Sequence, residues 1–435
     1  MEVATAARIF ACFAFAYFFS ALVRGVTATL APAFTAEMGL QAADLGLLAG
    51  AFFFGFAASQ LPLGGALDRH GSRRVLLVLL SVGVVGCIAF ALAPNFASLA
   101  AARALIGVGV SACLMAPMTL YRRSFSITGQ IRANSWMLMT GSLGMVASTL
   151  PVQWLLPVWG WRGLFWALAA MFILASLAIW RWVPADRQAG LGRDSGVAEP
   201  LAMRAAGGGD SPRGARRWAI SGYGEVFRHP GFRRFVPMGF FHYGGMVAVQ
   251  SLWAGPWLLK VSGFSPEESA QGLFFVNLAM LGAFMVWGLI TPALYARGWT
   301  AQGLVARGIP LSLLVLVATV WAGPSAGAGS WALFCVSSTV VSLSQPAIGQ
   351  AFPATLAGRA LSAYNLVIFL GIFVIQWGLG VIIDLCMARG SEVVRAYQVA
   401  LGLLAASCCL SYAWFVWAGR WAATPAQVSP PLADI

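Results

Sequence analysis

The chain has 435 residues, of which 60% are hydrophobic and only 9% are charged, and its mean hydropathy is +0.80. A soluble globular protein carries about 25% charged residues, so this composition excludes that class and predicts a protein that crosses a membrane many times. The formal charge of +13 is almost all arginine, because Lys260 is the only lysine. We attribute this charge to one membrane face rather than to binding of nucleic acid.

Long apolar runs recur along the chain and predict membrane-spanning helices, because a helix needs about 20 apolar residues and a barrel strand only about ten alternating ones. The first run is too long for the apolar core of a signal peptide, so we expect it to be retained. The twelve predicted spans are 9–31, 43–66, 74–94, 97–120, 134–157, 163–183, 234–258, 269–294, 304–323, 331–352, 361–384 and 396–419.

A segment of different composition, from Pro184 to Gly231, separates the sixth span from the seventh. It is rich in glycine, proline and arginine, and it offers too little apolar area to order fully. We predict a linker that contains a short helix on the membrane surface over Ser221–Arg228. The predicted organisation is an N-terminal six-helix bundle (1–183), a cytoplasmic linker (184–231), a C-terminal six-helix bundle (232–420) and a cytoplasmic tail (421–435).

Arginine is unevenly distributed between the two sides of the predicted membrane helices. Arg73, Arg122 and Arg297 lie in links on the same side as the linker, whereas the other side has few cations, such as Arg162. The positive-inside rule assigns the richer side to the cytoplasm. We therefore expect both termini to be cytoplasmic, in the inner membrane of a bacterium.

The sequence contains no pattern typical of a catalytic or structural metal site. Its seven cysteines lack zinc spacing and are expected to pack as small apolar side chains. A metalloprotease histidine pair, a nucleophile elbow and a paired-carboxylate site are also missing from the sequence. We therefore expect neither an enzyme nor a bound cofactor.

The stretch Gly64–Arg74 joins two apolar runs and contains Asp68, Gly71 and three arginines. It resembles the loop between helices 2 and 3 of the major facilitator superfamily, Gly-x-x-x-Asp-Arg-x-Gly-x-Arg-Arg. Arg103–Gly109 resembles the helix 4 motif of that family, and Gly160–Phe165 resembles its link between helices 5 and 6. The resemblance implies an all-α membrane protein with 12 transmembrane helices in two six-helix bundles related by pseudo-twofold symmetry.

The resemblance also implies rocker-switch alternating access, in which helices 1, 4, 7 and 10 line the substrate cavity. It assigns Asp68, Arg69, Gly71 and Arg73 to the cytoplasmic gate, and Arg103 to gating or coupling. For the first four residues the alternative is a charge cluster that only fixes topology. The Gly-Pro pair that many antiporters of the family carry in helix 5 is missing from the fifth span, which argues against a drug exporter.

Arg24 lies well inside the first span, where an ionisable group costs about 2.5–3.5 kcal/mol and usually faces a cavity or a partner. It shares a helical face with Tyr17, Ser20 and Thr27. An arginine stays charged, and its planar fork binds carboxylate, sulfonate or phosphate through two hydrogen bonds. We predict that Arg24 anchors an anionic substrate beside Tyr17 and Ser20; the alternative is an arginine that reaches the outer interface.

Span 7 offers a second wall, because Met238, His242, Met246, Gln250 and Trp253 follow one another at steps of 4, 4, 4 and 3. Gln250 is about as deep in span 7 as Arg24 is in span 1, so the two are expected to meet. Other neutral polar groups are expected either to line the same site or to join helices. These groups are Tyr243, Asn277, Gln345, Asn365 and Gln376.

We predict a secondary active transporter that imports a small, carboxylate-like organic anion and works as a monomer among membrane lipids. One alternative is a carrier of a nitrate-like inorganic anion, and another is a copper carrier that uses Met238, His242 and Met246, a set that packing also explains. A membrane sensor that binds without transport is the remaining alternative. Because no carboxylate lies in the middle of a span, proton symport, uniport and anion exchange stay open.

Overall fold

The structure, a computed structural model, describes residues 3–125, 127–184 and 223–421. Within these ranges the chain is helical apart from short connections, and we number the membrane helices α1 to α12 by span. Their bounds are α1 Val3–Met38, α2 Ala42–His70, α3 Ser72–Leu92, α4 Phe96–Val110 and Met115–Ser124, α5 Ile127–Ala147, α6 Leu150–Trp182, α7 Pro230–Lys260 in five segments, α8 Pro266–Ala296, α9 Ala301–Ala322, α10 Ala328–Gln350 in three segments, α11 Ala354–Ala388 and α12 Val393–Trp421.

Helices α1–α6 pack into one bundle and α7–α12 into a second. Ten helices of the described residues are long and apolar enough to cross a membrane, and α5 and the segmented α7 complete the twelve spans. Large apolar side chains such as Trp321, which is 87% exposed, cover the outer surface, as lipid contact requires. The all-α fold with two six-helix bundles, predicted from the sequence, is confirmed.

Polar N-caps and glycines with positive φ mark the short connections between the membrane helices. The side chain of Asn95 accepts a hydrogen bond from the backbone of Ser98 at 2.9 Å, and Ser265 accepts one from the backbone of Glu268 at 3.2 Å. These caps satisfy amide groups that a helix cannot pair internally. Gly71 has a φ of +79°, which favours glycine, and it alone turns the chain from α2 to α3.

The predicted boundary between spans 5 and 6, between residues 157 and 163, coincides with a break in the helical backbone. Gly160 has a φ of +61° and a ψ of 169°, which separates residues 150–159, at the start of α6, from the helix that follows. Trp161, directly after the break, donates a hydrogen bond to Glu37 near the end of α1, so the break lies at the level where α1 ends. Pro151 lies in the first turn of the segment that begins at Leu150, where its missing N–H has no helical partner to lose. The linker bounds stay predictions, since residues 185–222 and 422–435 are outside the described ranges, although a short helix, Tyr223–Arg228, lies within the predicted surface helix.

Helix α7 departs from the uniform α-helical spacing that we assumed. Two π-helical segments, Met238–Tyr243 and Val249–Trp253, interrupt it, and such segments occur frequently at functional sites. Glycines let neighbouring helices approach there: a Cβ atom at Gly239 would lie 2.5 Å from the ring of Tyr364, and one at Gly244 would lie 3.0 Å from the backbone of Gly371. Side chains of α7 therefore do not follow one straight face.

Helices α2 and α11 close the two bundles against each other at one end of the molecule. We call this end the opposite face, and the end where α1 begins and α6 and α12 end the linker face. At the opposite face a Cβ atom at Gly46 would lie 2.2 Å from the carbonyl oxygen of Gln376, and one at Gly380 would lie 2.2 Å from that of Ala42. Only glycine permits these approaches.

The carboxylate of Asp384, near the end of α11, strengthens the same closure. Its two oxygens accept hydrogen bonds from the backbone of Ala42 at 3.1 Å and of Ala43 at 2.7 Å, in the first turn of α2. Toward the linker face, by contrast, a Cβ atom at Gly64 or Gly65 of α2 would meet no atom within 4 Å. The bundles therefore meet at the opposite face and diverge toward the linker face.

Candidate substrate site

Arg24 is a half-buried cation in α1 whose guanidinium has no hydrogen-bonding or charged partner among the described residues. It makes no hydrogen bond or ion pair within the described ranges. Only the backbone of this residue is engaged, because its carbonyl accepts a hydrogen bond from Arg103 at 3.4 Å. A permanently charged group in this state is suited to bind an anion from solution.

Tyr243 of the second bundle lies close to Arg24 and to a second phenol, that of Tyr17. Tyr243 of α7 is near enough to interact electrostatically with both Arg24 and Tyr17 of α1. The ring of Tyr17 packs on Gly141 of α5, where an added Cβ atom would be 2.5 Å from a ring carbon and 2.9 Å from the hydroxyl. Arg24, Tyr17 and Tyr243 thus combine a charge with two hydroxyl donors at the junction of the bundles, and we take them as the centre of the candidate site.

The remaining residues of the predicted α1 face bind α4 instead of facing Arg24. The hydroxyl of Ser20, which is 5% exposed, hydrogen-bonds to the thiol of Cys113. Thr27 accepts a hydrogen bond from Arg103 at 2.5 Å. Ser20 and Thr27 therefore join α1 to α4, whereas the side chain of Arg24 has no partner among the described residues.

Arg103, predicted for gating or coupling, is 1% exposed and ties three helices together. It donates to Thr27 of α1 and lies over the ring of Phe52 of α2, with 5.1 Å between the guanidinium carbon and the ring centroid. Its Nε and Nη1 atoms have no hydrogen-bond partner, and no carboxylate pairs with it among the described residues. A buried cation without a counter-ion is costly, which is consistent with a position that changes partners between states.

The predicted polar groups of the C-terminal bundle form hydrogen-bonded pairs rather than a single cluster. The amide of Gln250 donates to Asn277 at 2.9 Å, and that of Gln345 donates to Asn365 at 2.8 Å. Helix α1 packs against segment Val249–Trp253, which carries Gln250. Asn277 is buried, whereas Gln250, Gln345 and Asn365 are half-buried and offer neutral hydrogen-bonding groups.

Gln376 and Trp253 lie in the interface between α7 and α11. Gln376 donates to Ser251 at 2.9 Å, and the indole of Trp253 donates to the carbonyl of Gln376 at 3.2 Å. Both side chains are at most 1% exposed. In this conformation they join helices and do not reach an open surface.

Met238, His242 and Met246 are all buried within the C-terminal bundle. The Nε2 atom of His242 hydrogen-bonds to Ser312 of α9 at 3.0 Å, and its Nδ1 atom has no partner among the described groups. No group of three or more His, Cys, Asp or Glu side chains in the described ranges is arranged to hold a metal ion. The imidazole therefore faces α9 in this conformation rather than Arg24.

The charged loop after α2 lies at the linker face. Gly71 makes the turn, Arg69 is exposed, and Arg73 donates a hydrogen bond to the carbonyl of Trp180 near the end of α6. The side chain of Asp68 is outside what the structure describes. This loop thus connects α3 to α6, and its gating role stays a prediction.

Asp384 and Tyr364 make contacts between helices that were not predicted from the sequence. Asp384 is a carboxylate at the C-terminal end of a helix, where it opposes the helix dipole, and that mismatch was a signal for a partner outside the helix. Tyr364 of α11 covers Gly239 of α7 as Tyr17 of α1 covers Gly141 of α5. The two bundles therefore use the same helix pair with the tyrosine and the glycine exchanged.

Two helical bundles that meet through α2 and α11 form an architecture typical of membrane transporters. The profile of the Major Facilitator Superfamily matches residues 13–376, and the chain belongs to this family. The fold resembles a bacterial homologue of the human lysosomal transporter Spinster, in an inward-facing and unoccupied conformation, with a TM-score of 0.72 and 15% identity over 97% of this chain and 98% of that one.

Transporters of known or probable substrate match this chain over only part of their length. The chain is 24% identical to the probable sulfoacetate transporter SauU of Cupriavidus necator, over 68% of this chain and 66% of that protein. It is 25% identical to the 4-hydroxybenzoate transporter PcaK of Pseudomonas putida, over 62% of this chain and 60% of that protein. The chain thus spans slightly less than two thirds of either relative.

Proposed function

We propose that the protein imports a small organic anion, carboxylate-like, across a bacterial inner membrane by alternating access. The observation that carries the proposal is Arg24, a half-buried guanidinium without a partner among the described residues, near the phenol of Tyr243 from the other bundle. A carboxylate accepts two hydrogen bonds from an arginine fork and further ones from phenols. A neutral substrate would leave the cation unpaired, which is costly inside a membrane.

The names of the relatives support the same substrate class. SauU is named for sulfoacetate and PcaK for 4-hydroxybenzoate, and both compounds are small organic anions. The arginines around the linker face support a cytoplasmic assignment for that face. With that assignment the bundles diverge toward the cytoplasm, so that Arg24 would release its anion there.

A thermal-shift screen of the purified protein tests the substrate class. The ligands are 4-hydroxybenzoate, sulfoacetate, succinate, nitrate and copper(I), because a ligand that binds only the folded state raises its melting temperature. We expect a carboxylate or sulfonate to raise it and copper(I) to leave it unchanged. A shift with nitrate alone would favour the inorganic-anion alternative, and a shift with copper alone would reject the proposal.

The same screen with Arg24 variants tests the anchor. Arg24→Gln should lower affinity for the anion roughly 10- to 100-fold, the loss expected for charge-assisted hydrogen bonds. Arg24→Lys should restore part of it, since the charge returns without the fork. Arg395→Gln, which removes an exposed arginine at the opposite face, is the matched control and should bind as the wild type does. Wild-type affinity in both Arg24 variants would reject the anchor role.

A further inference from the structure

A lateral cleft lies between α1 and α6, close to the linker face and away from Arg24. Its volume is about 530 Å³, within the range of roughly 300–1,000 Å³ typical of small-ligand sites. Small residues line it, among them Ala11 of α1 and Ala178 of α6, and the thiol of Cys12 donates to the carbonyl of Ala178 at 3.7 Å. Its walls are the apolar side chains of Phe15, Leu174, Leu177 and Trp182.

These walls belong to the surface that faces lipid. Phe15 is 38% exposed, Leu174 50% and Leu177 56%. The cleft is therefore open sideways, toward acyl chains, rather than toward the space between the bundles. A water-soluble anion would gain little from so apolar a surface, whereas an acyl chain buries it.

Two cations stand at the linker-face end of this cleft. Arg181 of α6 lines the cleft, and Arg8 of α1 lines an adjoining pocket of about 430 Å³ that shares Ala11, Cys12 and Trp182 with it; both arginines are exposed. Neither guanidinium makes a hydrogen bond or an ion pair within the described ranges, whereas nearby Arg73 is engaged by the carbonyl of Trp180. None of the described residues that line the two pockets is a carboxylate, so none of them supplies a counter-charge to the two arginines.

We propose that this cleft is a binding site for an anionic phospholipid, with one acyl chain between α1 and α6 and the phosphodiester between Arg8 and Arg181. Arginine forks bind phosphate oxygens in pairs, and basic pockets between membrane helices take lipid headgroups. Trp182, 52% exposed at the end of α6, has the amphipathic ring that favours the headgroup level. This site is independent of the transported anion and of Arg24.

Native mass spectrometry of the full chain in detergent tests the proposal, with dioleoyl phosphatidylglycerol and dioleoyl phosphatidylcholine as probes. The two lipids share their acyl chains and differ in net charge. The wild type should retain phosphatidylglycerol in preference to phosphatidylcholine. Arg8→Gln combined with Arg181→Gln should weaken binding of phosphatidylglycerol roughly 25-fold, about fivefold for each cation near a lipid surface.

The matched control is Arg389→Gln combined with Arg395→Gln, which removes two exposed arginines at the opposite face and should keep the preference. Ala178→Trp fills the cleft and should weaken both lipids, because it removes the space for the acyl chain. Equal retention of the two lipids by the wild type, or a preference that survives loss of Arg8 and Arg181, would overturn the proposal. So would an equal loss in the control, or displacement of the lipid by inorganic phosphate at the same concentration.

Discussion

At the scale of single residues, the two intramembrane arginines of the N-terminal bundle have opposite surroundings. Arg24 is half-buried and unpaired within the described ranges, whereas Arg103 is 1% exposed and holds α1 through Thr27. The first arrangement leaves a cation available to a ligand, and the second uses a cation to join helices. The sequence alone does not show which arginine binds a ligand and which joins helices, because both lie inside apolar spans.

Arg103 should be replaceable by an apolar side chain of similar length without loss of stability. Arg103→Met removes a buried charge whose Nε and Nη1 have no partner, and such replacements are often neutral or stabilising. Arg103→Ala leaves a cavity as well, so it should cost about 2–5 kcal/mol. Thermal unfolding of both variants checks this, and a Met variant that melts as low as the Ala variant would contradict it.

Gly141 positions the ring of Tyr17, and we predict that Gly141→Ala weakens anion binding. The new Cβ atom would be 2.5 Å from that ring, so the phenol must move away from its place beside Tyr243. Loss of one charge-assisted hydrogen bond would lower affinity roughly tenfold. Ligand titration by thermal shift measures this effect.

Gly144→Ala is the informative contrast. Its Cβ atom would be 2.3 Å from the carbonyl oxygen of Phe18, which is backbone and cannot move aside, so α1 and α5 must separate. The melting temperature should fall more for Gly144→Ala than for Gly141→Ala. A larger fall in melting temperature for Gly141→Ala than for Gly144→Ala would contradict this prediction, because it would show that the ring of Tyr17 cannot move aside.

At the scale of elements, the close contact of α2 with α11 sets the conformation. Gly380→Ala would place a Cβ atom 2.2 Å from the carbonyl oxygen of Ala42, whereas Gly378→Ala, on the same helix, would meet no atom within 4 Å. We predict that the first substitution opens the opposite face and the second does not. Spin labels at Gln41→Cys and Arg389→Cys report the separation, and an unchanged distance in Gly380→Ala would contradict the closure.

Asp384→Asn should weaken the same closure without a steric change. The carboxylate accepts from two backbone amides of α2, and the neutral amide loses both the charge and one acceptor. Carboxylates at helix N-termini contribute roughly 0.3–2 kcal/mol, so we expect up to a 30-fold shift toward the state that is open at the opposite face. The same pair of labels measures it, and a distribution equal to that of the wild type would exclude a latch.

The elements also show which features could be predicted from the sequence. Long apolar runs fix the number of spans, and motifs such as Gly64–Arg74 fix the family, because both depend on local composition. The π-helical segments of α7 could not be predicted, because they depend on close approach of neighbouring helices. Arg24 was identifiable as a charge inside a membrane span, but its proximity to Tyr243 depends on how the two bundles face each other.

At the scale of the whole molecule, the cytoplasmic assignment of the linker face is a prediction from arginine content. Arg297 lies between α8 and α9 at the linker face and is exposed, and Ser391 lies between α11 and α12 at the opposite face. In intact cells a membrane-impermeant maleimide should label Ser391→Cys and not Arg297→Cys, with the wild-type chain as the background control. The reverse pattern would invert the orientation and, with it, the proposed direction of release.

Uptake by purified protein in liposomes distinguishes a carrier from a sensor, because a sensor binds its ligand without moving it. With the anion that gives the largest thermal shift, wild type and Arg395→Gln should accumulate radiolabelled ligand, and Arg24→Gln should not. Repeating the assay without a pH gradient separates proton symport from uniport and exchange. Binding without any uptake by the wild type, or uptake by Arg24→Gln at the wild-type rate, would contradict the account.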